Sequence, residues 1–319
     1  MIVTVTLNAA LDRTLQVPNF QRGQRHRASE SLTLAGGKGI NVARALKRMG
    51  VPVVATGLAG GRTGTLIVEE LTAEAILNDF VRIAGESRTS TAVVDTTTGS
   101  YTEINEWGPH VSDVELEILI EKLHYLGNGA DYVVFAGSLP RGVDNDFYAE
   151  AIRDLKRRGI QTVLDSEGEP LRLGTEAEPW LVSPNQPEAE GLVGQELNDD
   201  EDFMMALDTI AERGAQNVMI TLESGCIARF REERRTRRFR ARTPRLEARS
   251  AVGAGDTLLA GLIAARLQGQ TTEEALRTAV ASGAVSTLEV GAGRFEPRDV
   301  ARLAGQVQLE ELEPVSAER

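Results

Sequence analysis

From residue 131 onward the chain alternates short apolar runs with amphipathic segments, and this alternation restricts the fold more than any other feature. Runs such as Tyr132-Val133-Val134-Phe135-Ala136 and Thr162-Val163-Leu164 are too short for helices and have no polar face. They read as strands buried on both sides. Strands are expected at 131–136, 160–165, 180–182 and 217–222. Helices are expected at 145–158, near 201–213, at 256–268, at 272–287 and near 297–304. Upstream, 2–7 and 53–57 read as strands. A helix stops at Gly50, another runs to about Ala73, and a third lies near 112–126. Strands alternating with helices give an α/β fold: a mainly parallel central sheet with helices on both faces, in three α/β/α layers. Right-handed crossovers place the loops that follow the strands along one edge, where ligands bind.

Two stretches break the pattern. Asp12–Val17 with Arg25–Leu34, and residues 88–95 with 100–106 around Thr96-Thr97-Thr98-Gly99, alternate polar and apolar residues. They are expected to form a small antiparallel β lid from residues 12–34 and 88–107. Residues 1–11, 35–87 and 108–305 form the core, and 306–319 a loose acidic tail. The open edges and apolar inner face of such a lid point to a homodimer joined through it.

The net charge is −12 over 319 residues, which argues against general nucleic-acid binding. Residues 229–249 run the other way, with ten arginines and three glutamates. Their alternation, as in Arg238-Phe239-Arg240-Ala241-Arg242, suggests a solvated hairpin. An RNA-binding surface is the competing reading, testable by salt-dependent RNA affinity. The single cysteine, Cys226, excludes an internal disulfide and a cysteine-based zinc site. No apolar stretch is long enough to span a bilayer, and the chain opens directly on a strand, so the expected location is the cytoplasm.

The richest chemistry lies in Ser250-Ala251-Val252-Gly253-Ala254-Gly255-Asp256, which runs into the apolar segment Thr257–Ala265. A helix starting after Gly253 points unpaired N–H groups and a partial positive charge at the loop, which makes an anion site. Asp256 repels a bare phosphate. It makes sense as a base that takes a proton from a hydroxyl while the helix end stabilises a phosphoryl group. It is equally acceptable as a first-turn residue of a buried helix.

A second glycine loop, Ala35-Gly36-Gly37-Lys38-Gly39-Ile40-Asn41-Val42-Ala43, has neither Walker A nor dinucleotide-fingerprint spacing. With Gly50 and Gly60 downstream it resembles the first signature of the phosphofructokinase B family of ribokinase-like sugar kinases. Ser250–Ile263 resembles the second. Further likenesses run in order along nearly the whole chain: Thr4–Asn8 with Asp12, Gly85–Arg88, Thr102–Asn105 with Gly108-Pro109, Gly137–Pro140, Asp165, and Pro184-Asn185 with Glu188.

The resemblance implies a ribokinase-like fold and an ATP-dependent kinase acting on a ketohexose phosphate. Fructose-1-phosphate is the first expectation; tagatose-6-phosphate and fructose-6-phosphate are the alternatives. Asp256 is then the base, and the amides of Gly253, Ala254 and Gly255 receive the phosphoryl oxygens. Asp12, Gly37 and Asn41 bind sugar hydroxyls. Lys38, Arg88 and Ser138 hold the phosphate already on the sugar. Asn185 and Glu188 organise Mg²⁺ through water, although a Pro-Asn turn with a first-turn glutamate explains the same residues. Thr221, Gly225, Gly253 and Gly255 meet the nucleotide, and Ser282 with Gly283 faces the adenine. Three positions depart from the family pattern: Ser183 replaces a lysine, Glu223 stands in a nucleotide turn where glycine is usual, and Glu167 replaces a small residue. They motivate a competing class, a sugar-phosphate-binding regulatory protein with weak turnover.

Overall fold

The computed structural model describes residues 1–232 and 235–313. The chain enters as β1 (Ile2–Thr6), leaves for β2 (Ala10–Gln16) and β3 (Glu30–Gly36), and returns through α1 (Lys38–Arg48), β4 (Val53–Gly60), α2 (Gly61–Ala73) and β5 (Leu77–Ile83). It leaves again for β6 (Arg88–Val94) and β7 (Tyr101–Asn105), followed by α3 (Asp113–Gly127) and β8 (Tyr132–Ala136). Next come α4 (Phe147–Arg157), β9 (Gln161–Asp165), α5 (Gly168–Thr175), β10 (Leu181–Val182), α6 (Gln186–Val193) and α7 (Asp200–Glu212). The described chain ends with β11 (Asn217–Leu222), β12 (Gly225–Arg231), β13 (Thr236–Arg242), α8 (Ala254–Leu267), α9 (Thr272–Ser286), α10 (Pro297–Ala304) and β14 (Gln308–Leu312).

The main sheet runs β14-β13-β12-β11-β10-β9-β8-β1-β4-β5. The pairings from β5 across to β11 are parallel, and those of β12, β13 and β14 are antiparallel. The continuous apolar runs have the expected cause. Along β1 and β8, Ile2, Val134 and Ala136 enter one core, and Val3, Val5, Val133 and Phe135 enter the other. The first core is covered by α1, α2, α8, α9 and α10, the second by α3 to α7. Helix α8 is buried continuously from Asp256 to Ala265, as its uniformly apolar sequence requires. No helix among the described residues is long and apolar enough to cross a membrane.

The second sheet, β3-β2-β6-β7, differs from the antiparallel lid expected. β2–β3 and β6–β7 are antiparallel hairpins, but β2 and β6 pair in parallel, from Ala10 against Arg88 to Gln16 against Val94. The hairpins are separated by α1, β4, α2 and β5. That length of chain allows the second to arrive beside the first in the same direction. The strand expected over 25–34 begins only at Glu30.

Two further expectations are corrected. The segment after 306 is not wholly loose: β14 pairs antiparallel with β13, Arg240 opposite Glu310; residues 314–319 lie outside the described residues. The arginine-rich stretch is not a solvated hairpin, apart from residues 233 and 234, which are not described. Its two strands are interior to the main sheet, and four of the arginines, Arg229, Arg237, Arg238 and Arg240, are paired. Arg229 and Arg238 share Asp208 at 3.1 and 2.7 Å, and Arg237 meets Glu273 at 2.5 Å and Glu311 at 2.6 Å. Arg240, only 8% exposed, pairs with Asp200 and lies over the Phe203 ring. Acidic residues of α7, α9 and β14 thus neutralise these four, while Arg231, Arg235, Arg242, Arg245 and Arg249 are exposed.

Candidate active site

The main sheet reverses its strand order at β1, which has β8 on one side and β4 on the other. Loops beyond the C-terminal ends of β1 and β8 therefore leave in opposite directions and open a crevice. Both glycine loops converge there. Gly37 precedes α1 at φ 111°, and Gly253 precedes α8 at φ 74°. A β-carbon on Gly253 would also overlap Ala292, so this position needs glycine for its dihedral and for its neighbour. The amide of Ala254 donates to the Ala251 carbonyl at 3.2 Å. Of the three amides expected to receive phosphoryl oxygens, that of Ala254 is thus engaged within the loop, and Gly253 and Gly255 line the cleft.

Asp256 sits in the first turn of α8 and is 6% exposed. Its Oδ2 accepts a hydrogen bond from Asn41 Nδ2 at 2.8 Å. Burial pushes its pKa up to about 7, and the Asp165 carboxylate adds to this; the Lys38 ammonium and the Asn41 amide oppose it. A carboxylate that titrates near neutrality is suited to taking a proton. Asp12, on β2, is raised to about 6 by burial, against the lowering effect of Arg88.

Lys38 Nζ donates to Asp165 Oδ1 at 2.6 Å and Glu188 Oε1 at 3.3 Å. Burial works against the ammonium, but the two carboxylates outweigh it and hold Lys38 above the usual lysine range. Glu188 itself is raised by burial, partly offset by Lys38. Its other oxygen accepts from the Asn185 amide at 2.8 Å, and Asn185 Oδ1 accepts from the Glu188 amide at 2.9 Å. The turn-and-cap reading of this pair therefore holds: Asn185 spends its side-chain oxygen on the helix end. Both oxygens of Glu188 are engaged, one by Lys38 and one by the Asn185 backbone amide, and the two residues line one cleft together. Among the described residues no three His, Cys, Asp or Glu side chains group closely enough to hold a metal by themselves.

Three clefts meet at these loops. One, of about 760 Å³, is lined by Asp12, Asn41, Arg88, Glu188 and Asp256. A second, of about 790 Å³, shares Ala254 and Gly255 with it and runs along Thr221, Gly225, Arg242 and Gly283. The third holds Arg88, Ser138 and Arg141 beside Gly37 and Lys38. Arg88 Nε donates to the Asn8 carbonyl at 3.3 Å and Nη1 to Asn105 at 3.2 Å, while Asn8 Nδ2 donates to Ser138 Oγ at 3.1 Å. The expected sugar-side residues are thus brought together, although Lys38 points its charge at the carboxylates rather than standing free. Ser282 is misplaced. It is fully buried, donates to the Thr278 carbonyl at 2.7 Å, and occupies the space left by Gly261 where α9 crosses α8. Gly283, Ala284 and Thr287 line the second cleft instead. Ser183 is buried at the edge of the first cleft, and Glu223 lines the second. Asn8 and Asn105 close two of the stretches that carry the resemblance, although no role was expected of either; Arg141 lies outside those stretches and is brought in only by its place in the loop after β8.

A buried carboxyl in the first turn of a helix, set where two clefts join, suits a phosphotransferase with an alcohol group as acceptor. The model of the pfkB family carbohydrate kinases matches residues 4–299, and the chain belongs to that family. It is 32% identical to a 1-phosphofructokinase of Vibrio cholerae over 98% of each chain. It is 31% identical to a tagatose-6-phosphate kinase of Staphylococcus epidermidis over 98% of this chain and 100% of that one. The crystal structure of phosphofructokinase-2 from Escherichia coli in complex with fructose-6-phosphate superposes with a TM-score of 0.87 at 28% identity, covering 96% of this chain and 98% of that one.

Proposed function

We propose that the protein transfers the terminal phosphoryl group of ATP to the free primary hydroxyl of fructose-1-phosphate, giving fructose-1,6-bisphosphate and ADP. The observation that carries this reading is Asp256, buried, ionising near neutrality and set beside the Gly253 and Gly255 amides where the clefts join. Asp256 takes the hydroxyl proton as the oxygen attacks phosphorus, a step worth about 10²–10⁴ in rate. The two amides and the start of α8 face the oxygens of the transferring group. Asp12 and Asn41 hold the sugar hydroxyls. Arg88, steadied by Asn8 and Asn105, holds the phosphate already present, with Ser138 beside it. The nucleotide lies along Thr221, Gly225 and Gly283. The oxygen donors fit a magnesium ion held through water by Glu188, whose orientation the Asn185 cap fixes. When bound, that ion neutralises charge on the nucleotide phosphates.

The test is ADP release with ATP and Mg²⁺ and, in parallel, fructose-1-phosphate, fructose-6-phosphate, tagatose-6-phosphate and fructose, for the wild type and Asp256→Asn. Preference for fructose-1-phosphate, lost by about 10²–10⁴ in the variant, is expected. Preference for tagatose-6-phosphate moves the assignment to the second reading, which the Staphylococcus relative supports. Turnover of free fructose alone removes the phosphate-reading role of Arg88. Sugar-phosphate binding without ADP would favour a regulatory protein, with Ser183 and Glu223 as the cause.

A further inference from the structure

Three residues after Asn41, helix α1 buries an arginine. Arg44 is 2% exposed, and a guanidinium has five N–H donors and no acceptor. Each of the five finds an oxygen. Nε and Nη2 grip the two oxygens of Glu74 at 2.7 and 2.8 Å. Nη2 also donates to the Ala35 carbonyl at 2.7 Å, and Nη1 donates to the Ala292 carbonyl at 3.4 Å and to Asn41 Oδ1 at 3.3 Å. The arginine therefore joins the end of α2, the end of β3, the turn that backs Gly253, and the side chain that touches Asp256.

The Asn41 contact decides an orientation. An amide has one accepting end and one donating end, and an arginine can only donate. Oδ1 must face Arg44, so Nδ2 must face Asp256. A donor on Asp256 favours the carboxylate; the amide oxygen in its place would favour the protonated acid.

We propose that Arg44 is a positioning residue for the base: it fixes the Asn41 amide, and through it the protonation state and direction of the Asp256 carboxyl. This rests on Asp256 being the base. The groups facing Asp256 are Asp165 from the end of β9, Lys38 and Asn41 from α1, and Asp12 from β2. Those facing Arg44 are Glu74 and Glu70 from α2 and Asp12 from β2. None of these other groups can set the direction of the amide, because none of them bonds to Asn41.

The test is kcat/KM for the sugar phosphate across about pH 5.5 to 9 in the wild type, in Arg44→Met/Glu74→Gln, which removes the ion pair without leaving one charge buried, and in Asp256→Asn. The double variant is expected to move the acid limb upward by about one unit. It should lose about fivefold in kcat/KM at about pH 7 and about tenfold at the acid end, recover towards wild type near pH 9, and keep its nucleotide KM. A loss that is uniform across pH, with the limb in place, overturns the proposal, and so does no loss. If the double variant does not fold, Arg44→Gln/Glu74→Gln, which also removes the ion pair but keeps polar side chains in the space, is measured instead: an upward shift of the limb supports the proposal, and an unmoved limb overturns it. Failure of the base assignment is seen separately, as Asp256→Asn retaining turnover.

Discussion

Asp256→Asn should stabilise the ligand-free protein at alkaline pH while disabling it. The unfolded chain ionises this carboxyl near 3.8, and the folded protein near 7. Between those values the folded state binds more protons than the unfolded state, so stability falls as pH rises through the window. The whole shift corresponds to roughly 4 kcal/mol at 1.36 kcal/mol per unit, an upper figure because Asp165 shares the coupling. From about pH 5.5 to about pH 8.5 the wild type crosses some 1.5 units of it, or about 2 kcal/mol. Asparagine cannot ionise, and its amide oxygen can still accept from Asn41. Urea unfolding of both proteins at the two pH values gives the comparison. The variant's advantage should grow by about 2 kcal/mol from the lower pH to the higher, alongside a rate lowered by about 10²–10⁴. Parallel pH dependences in the two proteins, or a variant less stable at about pH 8.5, would refute the reasoning that burial makes the ionised base costly.

Two further outcomes follow from the packing. Gly57, opposite Thr6 in the β1–β4 pair, has φ 140°, and a β-carbon there would overlap the Thr6 carbonyl oxygen; Gly57→Ala should cost about 3 kcal/mol or more in urea unfolding, and an unchanged midpoint would deny the close approach. We further propose a homodimer through the smaller sheet, where all of β7 is exposed, Ile104 at 63%: light scattering should give the mass of two chains for the wild type and of one for Ile104→Glu.

The sequence carried much of this architecture because its signals were local. Strands buried on both faces, as at Val133–Phe135, can only be apolar runs. The bend before α8 needs glycine, and a first-turn aspartate follows it. What escaped was set by partners far along the chain. β5 was not expected because Leu77-Asn78-Asp79 looks polar, as an edge strand can. Arg229, Arg237 and Arg238 of β12 and β13 look solvated until Asp208, Glu273 and Glu311 arrive. Lys38 reads as a free cation because Asp165 and Glu188 lie 127 and 150 residues away. Ser282 was placed on the nucleotide by family likeness, yet the missing side chain of Gly261 decides where it points. Trp107, a residue type usually packed, is 84% exposed beside the third cleft.

The strand order also bears on how the chain emerges during synthesis. From β8 to β14 each new strand lies beside the one made just before it. A growing chain therefore exposes one unpaired strand flank on that side of the sheet, and each addition moves the flank outward. The last flank belongs to β13, where Arg238 and Arg240 already have Asp208 and Asp200 of α7 while Arg237 waits for Glu273 and Glu311. Like charge along a waiting strand discourages it from pairing with a second nascent chain. On this reasoning Arg237 would guard an unfinished sheet before it becomes part of a finished one.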